Sequence, residues 1–290
     1  MAHRRLSLPP ARAALGSPHL TSRPSADRSS SAGETAATVA HKNVAELLRQ
    51  HPWVAGLSRY VELADADIDA IRSILEGQRQ IRKRADIVVQ GYKYRKLSFV
   101  EVGMAARYKL LHNGKRQILT VVLPGDIIGF PACFYDRANF SVVAVTDMSI
   151  QVCSFETFMQ ACRQRPLLTM ALLWLAVEET AIYADHIIDT GRRTPIERVA
   201  HFFLELHSRL KALGSATSRT FELPLSQEAI GDVLGLSAPH VNRVLRRLRE
   251  DGLVTIDGHT VTLNDLETLQ TMTQFEPLTV EPSPTFKRRG

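Results

Sequence analysis

The stretch QEAIGDVLGLSAPHVNRVLRR, residues 227–247 of a 290-residue chain, ends in Asn242, Arg243, Arg246 and Arg247. Side chains of these types recognise nucleic acid by hydrogen bonding. An arginine can hold guanine O6 and N7 with two parallel bonds, and an asparagine can pair with adenine or reach a phosphate. Further arginines and a helix N-terminus can hold phosphates. The competing reading of the same residues is a helical hairpin with a solvated basic face.

The surrounding residues predict how these donors are positioned. Ser226 is placed to cap a helix whose Ile230, Val233 and Leu234 share one face. Gly231 lets a second helix cross closely. Gly235 is suited to the positive φ that ends the first helix. Leu236 plugs the core beneath the turn. Ser237 is placed to cap the second helix, and Pro239 is tolerated because it lies in that helix's first turn. Val241, Val244, Leu245 and Leu248 then face inward, leaving His240, Asn242, Arg243, Arg246, Arg247 and Arg249 outside. This is a helix-turn-helix pattern. GLVTIDGHTVTLND (252–265) alternates around Asp257-Gly258, a hairpin signal, so the unit reads as a winged helix-turn-helix.

Upstream elements must carry this unit. TPIERVAHFFLELHSRL (194–210) opens with Thr194 as cap, Pro195 in the first turn and Glu197 completing a capping box, which puts a domain boundary near 192. Before it, Met170, Leu173, Val177, Ala181, Ala184 and Ile188 recur at spacings of three and four. They form an apolar seam that suits either a second subunit or a buried core helix. From about 80 to 155 short β-branched runs alternate with Gly, Pro, Asn and Asp, and Asn113-Gly114 marks a hairpin. This reads as a sandwich or barrel. VAELLRQHPWV (44–54) and DADIDAIRSILEG (65–77) have helical spacing, with Ile68, Ile71 and Leu75 on one face and Gly77 as the stop.

Composition bounds the class. The net charge of +6 favours an anionic partner. Cys133, Cys153 and Cys162 are odd in number and lack C-x-x-C spacing, which argues against a disulfide framework or zinc ribbon and fits a reducing cytoplasm. No metal site is expected. The longest apolar run, LLTMALLWLAV, is about half the roughly 20 residues a bilayer requires, so no membrane span is expected. Residues 1–40 read as a disordered arm, with a transit peptide as the alternative. The remaining divisions are a sensor-like β-domain at 41–165, a long helix at 166–191, the DNA-binding unit at 192–272 and a flexible tail at 273–290.

The order β-domain, long helix, winged helix-turn-helix resembles the Crp–Fnr family of bacterial transcription regulators over about 42–272. The segments that carry the resemblance are GMAARYKLLHNGKRQILTVVLPGDIIG (103–129) and LSQEAIGDVLGLSAPHVNRVLRRLREDGLV (225–254). The resemblance implies an α+β fold: an N-terminal cyclic-nucleotide-binding-like β-roll, a long dimerisation helix and a C-terminal winged helix-turn-helix. It implies a cytoplasmic homodimer on palindromic double-stranded DNA, with recognition helices about 34 Å apart, and RNA polymerase as a partner. The expected DNA contacts are Ser226, Gln227, Ser237, Pro239, His240, Asn242, Arg243, Arg246 and Arg247. Arg243 matches the family's guanine-reading arginine, whereas Pro239 stands where better-known members carry a glutamate. Proline cannot accept from cytosine N4, which puts the usual half-site in doubt.

The effector side departs further. Gly129 matches the cyclic-nucleotide motif, but Phe130 stands at its glutamate, and Ala138 and Asn139 stand at its Arg-Ser pair, with Arg137 one residue away. A nucleotide phosphate would be poorly compensated there. No cysteine precedes Cys133, so the family's N-terminal iron–sulfur cluster has no ligands. His112 lacks the context of a haem ligand, and the cysteines read as inert and buried. No cofactor is expected. The chain lacks H-E-x-x-H, G-x-S-x-G and the phosphate-binding Gly-Lys-Ser/Thr loop, and Asp126 and Glu101 read as turn and surface residues, so catalysis is not expected. The alternative function is a sensor or scaffold whose helix-turn-helix binds protein.

Overall fold

The computed structural model describes residues 50–277. The arm at 1–40, the helical reading of 44–49 and the tail from 278 lie outside these residues. Two short helices come first, α1 (Pro52–Ser58) and α2 (Asp65–Ile74). The chain breaks at His51, because Pro52 begins a new helix instead of continuing one through 44–54. Helix α2 also stops earlier than expected. Gly77, at φ 124°, opens strand β1 (Gly77–Ile81).

The β-domain continues through β2 (Asp86–Val88), β3 (Lys96–Val102), β4 (Ala105–Leu110), β5 (Arg116–Val122), β6 (Ile127–Ile128), β7 (Ser141–Ala144) and β8 (Met148–Ser154). These form two four-stranded antiparallel sheets, ordered β1-β8-β3-β6 and β2-β7-β4-β5. Successive side chains along a strand take opposite faces. In β3, Val100 enters the core between the sheets while Leu97 and Phe99 face the helices outside. The β4–β5 hairpin turns at His112-Asn113-Gly114, a three-residue loop with Gly114 alone at positive φ, so Asn113 needs no left-handed backbone.

Helix α3 (Phe155–Gln164) leads into the 26-residue α4 (Pro166–Gly191). By length and composition α4 could cross a membrane, which the shorter apolar run did not predict. Its inward side nevertheless carries Glu178, Glu179, His186 and Asp189, paired with Arg59, Arg107, Glu205 and Arg193 respectively.

The C-terminal unit comprises α5 (Pro195–Ala212), β9 (Thr220–Glu222), α6 (Gln227–Leu234), α7 (Ala238–Glu250), β10 (Val254–Asp257), β11 (Thr260–Leu263) and α8 (Leu266–Thr273). At the start of α5 the Thr194 N–H donates to the Glu197 carboxylate at 2.7 Å. One continuous apolar core joins the outer face of the second sheet (Ala106, Ile118, Val121) to the helices of this unit (Phe202, Leu206, Leu234, Leu248).

Asp126 and Glu101 are not idle polar residues. Asp126 accepts from the Leu123 N–H and pairs with Arg209 at 3.0 Å. Glu101 is largely buried and bonds His51 at 3.2 Å.

Candidate nucleic-acid interface

Helices α6 and α7 are locked by the turn between them. Gly235 takes the left-handed conformation (φ 66°), and the Leu236 N–H donates back to the Gly231 carbonyl at 3.0 Å. A Cβ on Gly231 would lie 2.3 Å from the Leu236 carbonyl oxygen. The glycine therefore makes room for the backbone of the turn itself, not for a crossing helix. Ile230, Val233, Leu234, Val241, Val244, Leu245 and Leu248 are buried beneath, and Leu236 packs against them.

At 100° per residue, Pro239, Arg243 and Arg246 fall on the line opposite this buried stripe. Asn242 and Arg247 flank that line, and all five are exposed. Arg243 has no hydrogen-bond or ion-pair partner among the described residues, whereas Arg246 pairs with Glu250 at 3.3 Å and Arg247 with Asp251 at 2.8 Å, each one turn along. Exposed pairs of this kind are weak and leave both guanidinium groups able to exchange partners for a phosphate. Asn242 donates to Gln227 at 3.2 Å, tying α7 to the start of α6. Ser226 caps α6 through its hydroxyl, which accepts from Ala229.

Ser237 holds the N-cap position, but its side chain makes no capping bond, so its exposed hydroxyl is free. Arg249 turns back toward its own helix and donates to the Leu245 carbonyl at 3.3 Å. His240 is half-buried at the edge of the face. The wing is a three-stranded sheet, β10-β11-β9. Asp257 pairs with Thr260 across a Gly258-His259 loop, one residue later than the sequence signal suggested.

On α4, Leu173, Val177 and Ile188 are 55%, 46% and 45% exposed, and Ala184 is also exposed. Ala181 is half-buried, and Met170 is partly drawn into the core beside α1 and α3. An apolar stripe thus runs along the helix and stays largely exposed among the described residues.

The opposite side of α4 holds a polar network that sequence reasoning missed. Arg107 of β4 is buried. It pairs with Glu179, donates to Tyr183 at 3.0 Å and to the Phe130 carbonyl at 2.9 Å, and stacks over Phe140. Next to it, Arg107 pairs with Thr120 and Tyr108 with Ile118, which leaves Leu119 as the extra residue of a bulge. The Leu119 carbonyl and the Glu205 carboxylate lie 3.0 and 2.7 Å from the two ring nitrogens of His186. Both neighbours are acceptors, and a neutral ring has only one N–H, so this geometry calls for the imidazolium form. Burial alone would lower the His186 pKa. The bond to Glu205, its charge and that of Asp189 outweigh burial and hold it above 6.5.

The sequence-predicted sensor positions do not converge on an anion. Phe130 lines the space between the second sheet and α4, Ala138 is buried, and Arg137 is exposed and donates to the Gly91 carbonyl. His112 is exposed at the hairpin turn. Cys133, Cys153 and Cys162 are free and buried, and burial pushes the thiols of Cys133 and Cys153 up to about 12, which keeps them in the unreactive protonated form.

Comparison with known proteins identifies both halves of this arrangement. A model of the cyclic nucleotide-binding domain matches residues 78–165, and a model of the Crp-like helix-turn-helix domain matches residues 197–272. The chain is 37% identical to a nitrogen fixation regulation protein FixK of Bradyrhizobium diazoefficiens over 165 residues, 56% of this chain and 68% of the relative. It is 32% identical to the transcriptional activatory protein AadR of Rhodopseudomonas palustris over 209 residues, 71% of this chain and 84% of the relative. The solved structure of FixK2 from Bradyrhizobium japonicum superposes with a TM-score of 0.62 at 28% identity, covering 68% of this chain and 96% of that one. With a β-domain, a long helix and a winged helix-turn-helix in this order, the chain belongs to the Crp–Fnr family of DNA-binding transcription regulators.

Proposed function

We propose that the protein binds a palindromic operator as a homodimer, reads each half-site with α7, and does so without cyclic nucleotide or iron–sulfur cluster. The observation that carries this reading is the outward line Pro239, Arg243, Arg246, with Arg243 unpartnered at its centre. Arg243 reads a guanine; Asn242 and His240 lie beside it; Ser226, Gln227, Ser237, Arg246 and Arg247 hold phosphates. Pro239 offers no hydrogen bond to a base edge, which leaves it apolar contact only. The exposed stripe of Leu173, Val177, Ala184 and Ile188, with half-buried Ala181 among them, supports pairing with a second copy, since a long apolar stripe on one helix is costly to leave in water. RNA polymerase is the further partner that family membership suggests.

The filling of the space between the second sheet and α4 supports the reading without a nucleotide effector there. Arg107 occupies the space lined by Phe130, Glu178, Glu179 and Arg209 with its own ion pair, and about 50 Å³ remains for solvent. Small-molecule pockets run to roughly 300–1,000 Å³. A cyclic nucleotide would have to displace the pair and then find no glutamate at Phe130 for its ribose.

Salt dependence separates this reading from a helix-turn-helix that binds protein. Fluorescence anisotropy on labelled duplex DNA should show affinity falling steeply, by orders of magnitude between about 50 and 200 mM salt. Duplex binding that is absent at low salt contradicts the proposal.

A further inference from the structure

The last turn of α6 is gripped from two directions. Helix C-termini leave carbonyls without partners in the helix itself. Here two of them are met by side chains from other elements. Gln117 of β5 donates to the Val233 carbonyl at 2.8 Å, and Arg198 of α5 donates to the Leu234 carbonyl at 3.2 Å. Beside them Arg116, the first residue of β5, pairs through its Nε with the Asp232 carboxylate. Three consecutive residues of the helix-turn-helix are thus held from outside the motif.

Arg198 extends the grip. Its remaining nitrogens donate to the Thr190 carbonyl in the last turn of α4 and to the Arg193 carbonyl in the connection, both at 2.9 Å. One guanidinium therefore joins the long helix, the segment after it and the first helix of the DNA-binding motif. The Gly231–Leu236 turn and the Asn242–Gln227 bond tie helices α6 and α7 to each other. Whatever fixes the end of α6 therefore fixes α7.

We propose that Arg116, Gln117 and Arg198 are positioning residues for DNA recognition. They clamp the helix-turn-helix to the β4–β5 hairpin and to the end of α4, and so set the separation and angle of the two recognition helices. This rests on the homodimer–palindrome reading. No clamp residue lies on the outward face of α7, so their effect should appear in how two half-sites are engaged together.

The test compares the parent protein with Arg116→Asp, Asp232→Arg, the double reversal Arg116→Asp/Asp232→Arg, and Gln117→Met. Each is titrated against a palindrome of optimal half-site spacing and against palindromes one base pair longer or shorter. The parent should discriminate sharply between spacings. Each single reversal should lose roughly tenfold in affinity for the optimal spacing and most of the discrimination, with binding to an isolated half-site unchanged. The double reversal should recover both. Gln117→Met, which removes one donor and adds no charge, should weaken discrimination to a smaller extent and covers the case of a reversal that fails to fold. Variants that discriminate like a discriminating parent overturn the clamp alone. So does a folded double reversal no better than the singles. A parent blind to spacing overturns the operator reading and the clamp together.

Discussion

Arg243 differs from its neighbours in having no partner for its guanidinium among the described residues, while Arg246 and Arg247 each have a carboxylate one turn away. Replacing Arg243 with alanine should cost on the order of 1–3 kcal/mol of operator binding and relax preference at one base pair per half-site, as read by competition against singly substituted operators. Equal loss at every position would mean the residue holds phosphate only. His186 makes a different prediction. Its folded pKa is raised, so the stability it contributes is complete below the ordinary imidazole value of 6.5 and is lost as pH rises through the raised value. Substituting glutamine should remove that part of the pH dependence: the stability gap between parent and variant, from denaturant unfolding, should narrow as pH increases across this window. A gap that widens contradicts the charged assignment. The buried and exposed faces of α7 were legible in the sequence because its apolar residues recur at helical spacing. The partners of Arg107 and His186 were not, because Glu179 lies 72 residues from Arg107 and Leu119 lies 67 from His186. No local pattern announces such pairs.

At the level of elements, α4 has two faces with different tasks. One carries buried ion pairs toward the β-domain and α5, and the other shows the apolar stripe. Changing Leu173 and Val177 together to glutamate should give a monomer by sedimentation and abolish cooperative binding to the palindrome, while circular dichroism keeps its helical signal. A dimeric double variant contradicts the seam. The apolar stripe was visible from periodicity alone, although Met170 is partly drawn into the core and Ala181 is half-buried. Strand β1, with the sequence GQRQI, was not visible. Its first four residues are exposed, so it shows none of the polar–apolar alternation of a half-buried strand, and only pairing with β8 fixes it. Strand β9 has a buried Phe221 but is only three residues long, too short to show alternation, and is completed by β11. Elements defined by their own buried face could be read, and elements defined by a neighbour's edge could not.

At the level of the molecule, the β-domain and the DNA-binding unit share a core instead of meeting across a solvated linker. The sensor interior between the second sheet and α4 is already occupied by Arg107 and its partners. Cyclic AMP should therefore leave the thermal midpoint unchanged, since a ligand that does not bind the native state cannot shift unfolding. A rise of several degrees would show that the ion pair yields to the nucleotide. The most direct measurement is selection of bound sites from random duplexes at physiological ionic strength. Recovered sequences should carry two inverted half-sites about one helical turn apart, each with a guanine whose enrichment disappears when Arg243 is replaced by alanine. Recovered sequences without inverted symmetry, or no enrichment over the starting pool, would contradict the homodimer–palindrome reading.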